Sequence, residues 1–316
     1  MRKAVIIGID NYQNGFQLHG CCNDADNIAE LLQKNENRDP NLEIAKYLNV
    51  LSRNQLEQYI EKCFSGEADE ALFFFAGHGS EKGELVTANG DKFSFSDILR
   101  TVNTSKCSNK IIILDCCFSG NMGSLSEIAS DACAIKEGVT ILAACRQNEC
   151  SQERCGAGVF TSLLCEALNG AAADVLGNVT PGGVYAYIDR ALGAFDQRPV
   201  FKTNVHKFTY LRKVNPQVDI QIIRKIPEFF KFPEVPFILD PSYEKTNTPE
   251  DLPELKEPYA VPAHVEIMKA LQQLESIGLV RPDGADHMYF AAMNSQYCKL
   301  TAIGRYYWRL AKEGKI

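Results

Sequence analysis

The sequence predicts an α/β protein with a mostly parallel sheet flanked by helices, followed by a small C-terminal domain. Three observations lead there. Ile111-Ile112-Ile113-Leu114 is a short, mostly β-branched apolar run of the kind buried on both faces of a parallel sheet. Leu72-Phe73-Phe74-Phe75-Ala76 and Val139-Thr140-Ile141-Leu142-Ala143-Ala144-Cys145 are further such runs, and segments of helical spacing lie between them. Composition then changes after Val214: of thirteen prolines, nine fall between Pro216 and Pro262, and apolar periodicity resumes only at Ala263. The expected parts are an α/β domain over 1–213, a proline-rich linker or arm over 214–262, and a compact domain over 263–316.

Residues 3–9 read as the first strand, ending at Asp10-Asn11-Tyr12. Ala25 to Gln33 has helical spacing (Ala25, Ile28, Ala29, Leu31, Leu32), with Asn23 or Asp24 placed to be its N-cap. Strand 44–51, helix Asn54 to Phe64 and strand 71–76 come next. Residues 80–109 should hold a short hairpin and a helix from Ser96 to Val102. The segments 121–137 and 146–154 are polar connections around the strand 139–145. Helical spacing returns from Gly156 to Leu168, stopped by Gly170, and from Val184 to Leu192; Lys207 to Leu211 reads as a strand.

The proline-rich stretch cannot continue ladders or helices, which predicts an extended arm. Its aromatics Phe229, Phe230, Phe232, Phe237 and Tyr243 predict that part of it packs on a neighbouring domain. Beyond it, Val265, Ile267, Met268, Leu271, Leu274 and Ile277 mark a helix closed by Gly278. Leu279 to Tyr297 can form a hairpin around Asp283-Gly284, and Leu300-Thr301-Ala302-Ile303-Gly304-Arg305 opens a last helix through Leu310. This order resembles a winged-helix fragment. Arg305, Arg309, Lys312 and Lys315 give its end a basic face, diluted by Glu266, Glu275, Asp283, Asp286 and Glu313. Docking of an activating protein is the favoured role, and DNA binding is the alternative.

The chain has 316 residues and a net charge of −7, which does not favour a nucleic-acid or membrane-surface protein. No stretch approaches the apolar length of a membrane span, and the run after Met1-Arg2-Lys3 is cut short at Asp10, unlike a secretion signal. Twelve cysteines without a signal read as reduced thiols of a cytoplasmic protein, and His19, Cys21 and Cys22 lack a second pair at zinc spacing, so no metal is expected.

Two of the buried runs end in chemistry. Lys110 to Leu114 leads into Asp115-Cys116-Cys117-Phe118-Ser119-Gly120, and 72–76 leads into Gly77-His78-Gly79. Ligand sites of open α/β sheets lie at the carboxyl ends of the strands. If these two strands are neighbours, a thiol meets an imidazole there, the minimum for a cysteine hydrolase. Residues two apart share a strand face, so Asp115 and Cys117 go together while Cys116 faces away with Leu114 and Ile112. That makes Cys117 the candidate nucleophile and His78 its base.

These motifs, together with Gly20-Cys21-Cys22-Asn23-Asp24-Ala25, resemble the caspase-like cysteine peptidases, and metacaspases and bacterial orthocaspases more than animal caspases. Cys116 stands where those families carry Ser, and Phe118 where they carry His. The resemblance spans about residues 2–213. It implies a caspase-like six-stranded sheet, a His78–Cys117 dyad with no cofactor, and an oxyanion hole from the N–H groups of Gly79 and Cys117. It also implies a substrate pocket lined by Asp24 and Asp115, hence protein or peptide cleavage after Arg or Lys. From the residues alone, Asp24 is equally a helix cap, and one carboxylate of the two could be simply structural. A regulated protease of bacterial signalling or defence is the implied setting. Lys136, Arg146 and Arg154 are then candidate self-cleavage points, against an uncut exposed loop. Glu81, Glu84, Asp91 and Asp97 are too dispersed to suggest calcium. The alternative is a non-catalytic α/β scaffold whose C-terminal domain binds a protein or DNA.

Overall fold

The computed structural model describes residues 1–13, 15, 17–80, 82–118, 135–144, 159–193, 199–205, 207–250 and 255–316, with Cys117 and Phe118 described by their main chain alone. The described chain forms two compact units, Met1–Asn215 and Pro216–Ile316.

The first unit contains β1 (Arg2–Gly8), α1 (Cys21–Gln33), β2 (Glu43–Leu48), α2 (Arg53–Phe64), β3 (Glu70–Gly79), β4 (Glu84–Val86), β5 (Lys92–Ser94) and α3 (Phe95–Thr104). It continues with β6 (Asn109–Phe118), β7 (Val139–Ala143), α4 (Val159–Glu166), β8 (Asn178–Val179), α5 (Pro181–Ala191), β9 (Val200–Asn204) and β10 (Arg212–Lys213). The main sheet runs β2-β1-β3-β6-β7-β9, parallel except for the antiparallel edge pair β7–β9. The β4–β5 hairpin extends from the end of β3.

Alternation along the central strands fills both faces. Phe73, Phe75, Ile112 and Leu114 pack with Leu56 and Ile60 of α2 and Phe95 and Ile98 of α3. Leu72, Phe74, Ile111 and Ile113 pack with Ala25 and Ile28 of α1, Leu164 of α4 and Val184 and Ile188 of α5. Apolar runs without polar alternation are what a sheet covered on both sides requires. The chain leaves β1 to one side for β2 and returns on the other for β3. A crevice at the carboxyl ends of β1 and β3 is the geometric result.

Two local expectations are overturned here. The first helix begins at Cys21 with Gly20 at the N-cap position, so Asn23 and Asp24 lie inside its first turn. Its leading N–H groups are taken by Asp10 at the end of β1, whose Oδ1 accepts from Cys21 at 2.8 Å and Oδ2 from Cys22 at 3.2 Å. The sheet closes on Val200–Asn204, and the expected strand Lys207–Leu211 does not form. Residues 207–211 are pinned by side chains instead: the Arg2 guanidinium lies 4.2 Å from the Tyr210 ring centroid and donates to its carbonyl. By contrast, α2 starts with the reciprocal Ser52–Gln55 box, and Gly170, at φ 115°, stands where the run after α4 ends.

The second unit contains α6 (Ile220–Arg224), α7 (Ile226–Phe229), β11 (Phe237–Ile238), α8 (Pro262–Ser276), β12 (Val280–Asp283), α9 (Met288–Met293), β13 (Tyr297–Leu300) and α10 (Ala302–Lys312). Its sheet is antiparallel, ordered β11-β13-β12. The proline-rich stretch contributes to this unit: β11 pairs with β13, and Trp308 Nε1 of α10 donates to the Phe230 carbonyl at 2.6 Å. The expected tight hairpin is corrected. β12 and β13 do pair, but α9 intervenes, because Met288, Ala291 and Ala292 fall at helical spacing and bury together. In Leu300-Thr301-Ala302-Ile303-Gly304, Thr301 Oγ1 accepts the Gly304 N–H at 3.0 Å, and a Cβ on Gly304 would lie 1.9 Å from the Leu279 carbonyl oxygen. Only glycine lets α10 approach so closely. Among the described residues, no helix is long and apolar enough to cross a membrane.

Candidate active site

β3 and β6 run side by side for ten residues, from Glu70 opposite Asn109 to Gly79 opposite Phe118. In this register His78 is the partner of Cys117. Neighbouring strands lie about 4.8 Å apart, so the two positions are adjacent at the carboxyl edge of the sheet. Gly79 is one step further along and also begins the pairing with β4 at Leu85. Cys116 is buried among Ile112 and Leu114 on the α2–α3 face, the packing position expected of it.

His78 is held by a residue that the sequence alone does not single out. Its backbone N–H donates to the Tyr12 hydroxyl at 2.8 Å, and the two rings lie 4.5 Å apart at a tilt of 52°. Tyr12 is buried just past the end of β1, and Gln17 fixes it by bonds to its N–H (3.1 Å) and its carbonyl (2.9 Å). Burial pushes the phenol far above its ordinary pKa, so at neutral pH it is a neutral hydroxyl. Gly77 leaves room for this contact: a Cβ there would lie 2.6 Å from the Tyr12 hydroxyl and 2.9 Å from the Phe75 ring. Gly77→Ala is therefore expected to disturb His78. In a protein that cleaves peptides, kcat/KM should fall at least ~10-fold, from an overpacking cost of about 1–3 kcal/mol. Adding Tyr12→Phe, which removes the colliding atom, should restore part of the loss. A Gly77→Ala penalty as large in the Tyr12→Phe background as in wild type would show that Tyr12 is not the obstruction.

The two carboxylates reach the same region from different elements. Asp24, in the first turn of α1, is 2 % exposed; Asp115, near the end of β6, is 8 % exposed. Asp115 Oδ2 accepts from the Thr161 N–H at 3.2 Å and from its hydroxyl at 2.7 Å. The Cys21 thiol responds to both: burial raises its pKa most, followed by the charges of Asp115, Asp10 and Asp24. Cys165 of α4 is pushed up to about 12, by burial and then by Asp24. A cluster of this sign is suited to a cation.

His78, Gly79, the Cys117 main chain, Asp24 and Asp115 thus gather at one end of the sheet, around the β1–β3 crevice. Lys136 is exposed, and its N–H donates to Asn103 at 3.0 Å. Arg146 and Arg154 lie outside the described residues, as does the Cys117 side chain. Asp10, Tyr12 and Thr161 were not legible as parts of the site. The available signal was position for the first two: both directly follow a strand end at which α/β sheets bind ligands.

A family model described as the caspase domain matches residues 1–210. Among solved structures, the crystal structure of Caspase-1 from Spodoptera frugiperda is similar, with a TM-score of 0.50 and 15 % sequence identity. The match covers 67 % of this chain and 90 % of that one. At that identity the likeness is one of fold. No curated protein matches the chain.

Proposed function

The chain belongs to the caspase-domain family, and from that premise we propose that it is a cysteine endopeptidase cleaving after Arg or Lys through a His78–Cys117 dyad. The observation that carries this reading is the β3–β6 register, in which these two positions are partners. Cys117 attacks the scissile carbonyl carbon while His78 takes the thiol proton. His78 then gives that proton to the leaving amine, forming a thioester that water, deprotonated by His78, hydrolyses. The N–H groups of Gly79 and Cys117 stabilise the oxyanion. The basic preference rests on Asp24 and Asp115, both buried and both acting on Cys21. A partner-docking role is assigned to residues 263–316; the basic end of α10 is partly neutralised there, with Lys315 2.6 Å from Glu313.

Profiling a peptide library with the full-length protein tests the assignment. Cleavage should concentrate after Arg and Lys. Cleavage after Asp, or with no preference before the scissile bond, would overturn the pocket assignment.

A further inference from the structure

Asp115 takes two hydrogen bonds from one residue. Thr161 donates to its Oδ2 twice, from the backbone N–H at 3.2 Å and from the hydroxyl at 2.7 Å. Thr161 is 1 % exposed and is the third residue of α4. The first N–H groups of a helix have no carbonyl partner within it, so Asp115 completes the first turn of α4 from outside. A carboxylate only accepts, which fixes the direction of the hydroxyl proton. Thr is stiff at χ1, so two donors on one residue define where Oδ2 sits more tightly than two flexible partners would.

The same helix also reaches the other carboxylate. Cys165 is four residues after Thr161 and therefore on the same face of α4, and its thiol feels the charge of Asp24. One face of α4 thus bears on both acids. We propose that Thr161 is a positioning residue of the substrate pocket, orienting the Asp115 carboxylate towards the basic side chain of the substrate. This rests on the assignment of Asp115 to that pocket. Losing the hydroxyl removes a charge-assisted bond and lets the carboxylate turn, whereas Ser keeps the donor.

The test is binding of p-aminobenzamidine, an amidinium probe, to the full-length protein, followed by fluorescence. Thr161→Val should weaken binding about tenfold and Thr161→Ser less than threefold. With Arg peptides the loss should appear in KM, with kcat within about twofold. Asp115→Asn should weaken binding at least as much, and adding Thr161→Val to it should cost nothing more, since the carboxylate to be oriented is gone. A Thr161→Val penalty that is equal in both backgrounds, or absent in wild type, overturns the proposal. Wild type that ignores the probe, or Asp115→Asn that binds it normally, overturns the pocket assignment beneath it. If Thr161→Val does not fold, the same cycle run with Thr161→Ala, which also removes the hydroxyl, decides: equal penalties in the two backgrounds overturn the proposal.

Discussion

Cys117→Ala should reduce peptide cleavage at least ~1,000-fold, His78→Ala should fall to the same floor, and the double variant should go no lower. Groups that act in one step lose their effect together, so their penalties do not add. The backbone of β6 is held by main-chain ladders to β3 and β7, so alanine at position 117 leaves the sheet intact. Alkylation gives a readout independent of turnover. Burial raises the thiols of Cys22 to about 11 and of Cys63 and Cys298 to about 12. At neutral pH Cys22 is then thiolate in roughly one molecule in 10,000, and slow to react. Beside an imidazole, Cys117 should carry far more thiolate. Mass-spectrometric mapping of iodoacetamide adducts should therefore find Cys117 modified well before Cys22. Equal rates at the two, together with no peptide cleavage by the wild-type protein, would leave the scaffold alternative standing.

The parts of this protein readable from sequence are those set by local pattern. β3 and β6 are visible because a strand covered on both faces must be apolar at every position, and both runs end in residues that packing does not need. The helix α2 is visible because Leu56, Tyr59, Ile60 and Cys63 fall on one side at helical spacing. What stayed hidden depends on contacts distant along the chain. Asp10 caps a helix eleven residues later, Tyr12 meets a backbone group 66 residues away, and Thr161 reaches Asp115 across 46. A neighbouring Asp24 looked like a cap because the local rule sees no rival acceptor. Lys207–Leu211 misled for a related reason: the sheet is already closed by β9, and Arg2 holds the segment instead. In the second unit, Asp283-Gly284 does turn, with Gly284 at φ 85°, yet the chain enters α9 rather than reversing. A turn signal marks the end of a strand without fixing the type of the next element.

The second large effect concerns substrate choice. Asp24→Asn and Asp115→Asn should each lower kcat/KM for Arg peptides by ~30- to several-hundred-fold, while barely changing that for otherwise identical Gln peptides. Removing one partner of a desolvated charge pair costs about 2–5 kcal/mol, much of it from the cation left uncompensated. Asn is the necessary substitution at 115: it retains an acceptor for the Thr161 donors, whereas Ala would also strip α4 of its external cap, at about 1 kcal/mol. The two variants separate a binding acid from a structural one. If Asp24→Asn keeps the wild-type ratio of Arg to Gln cleavage, Asp24 does not face the substrate and Asp115 carries the preference alone. Cys21 reports the same charges without any substrate. Its thiol is raised by burial first and by Asp115 next, ahead of Asp10 and Asp24. A carboxylate disfavours the thiolate, so removing that charge lowers the thiol pKa and increases the reactive fraction. Cys21 should alkylate faster in Asp115→Asn than in wild type, with a smaller gain in Asp24→Asn. An unchanged rate in Asp115→Asn would mean that the carboxylate and the thiol do not share one cavity, and the basic preference would lose its physical basis.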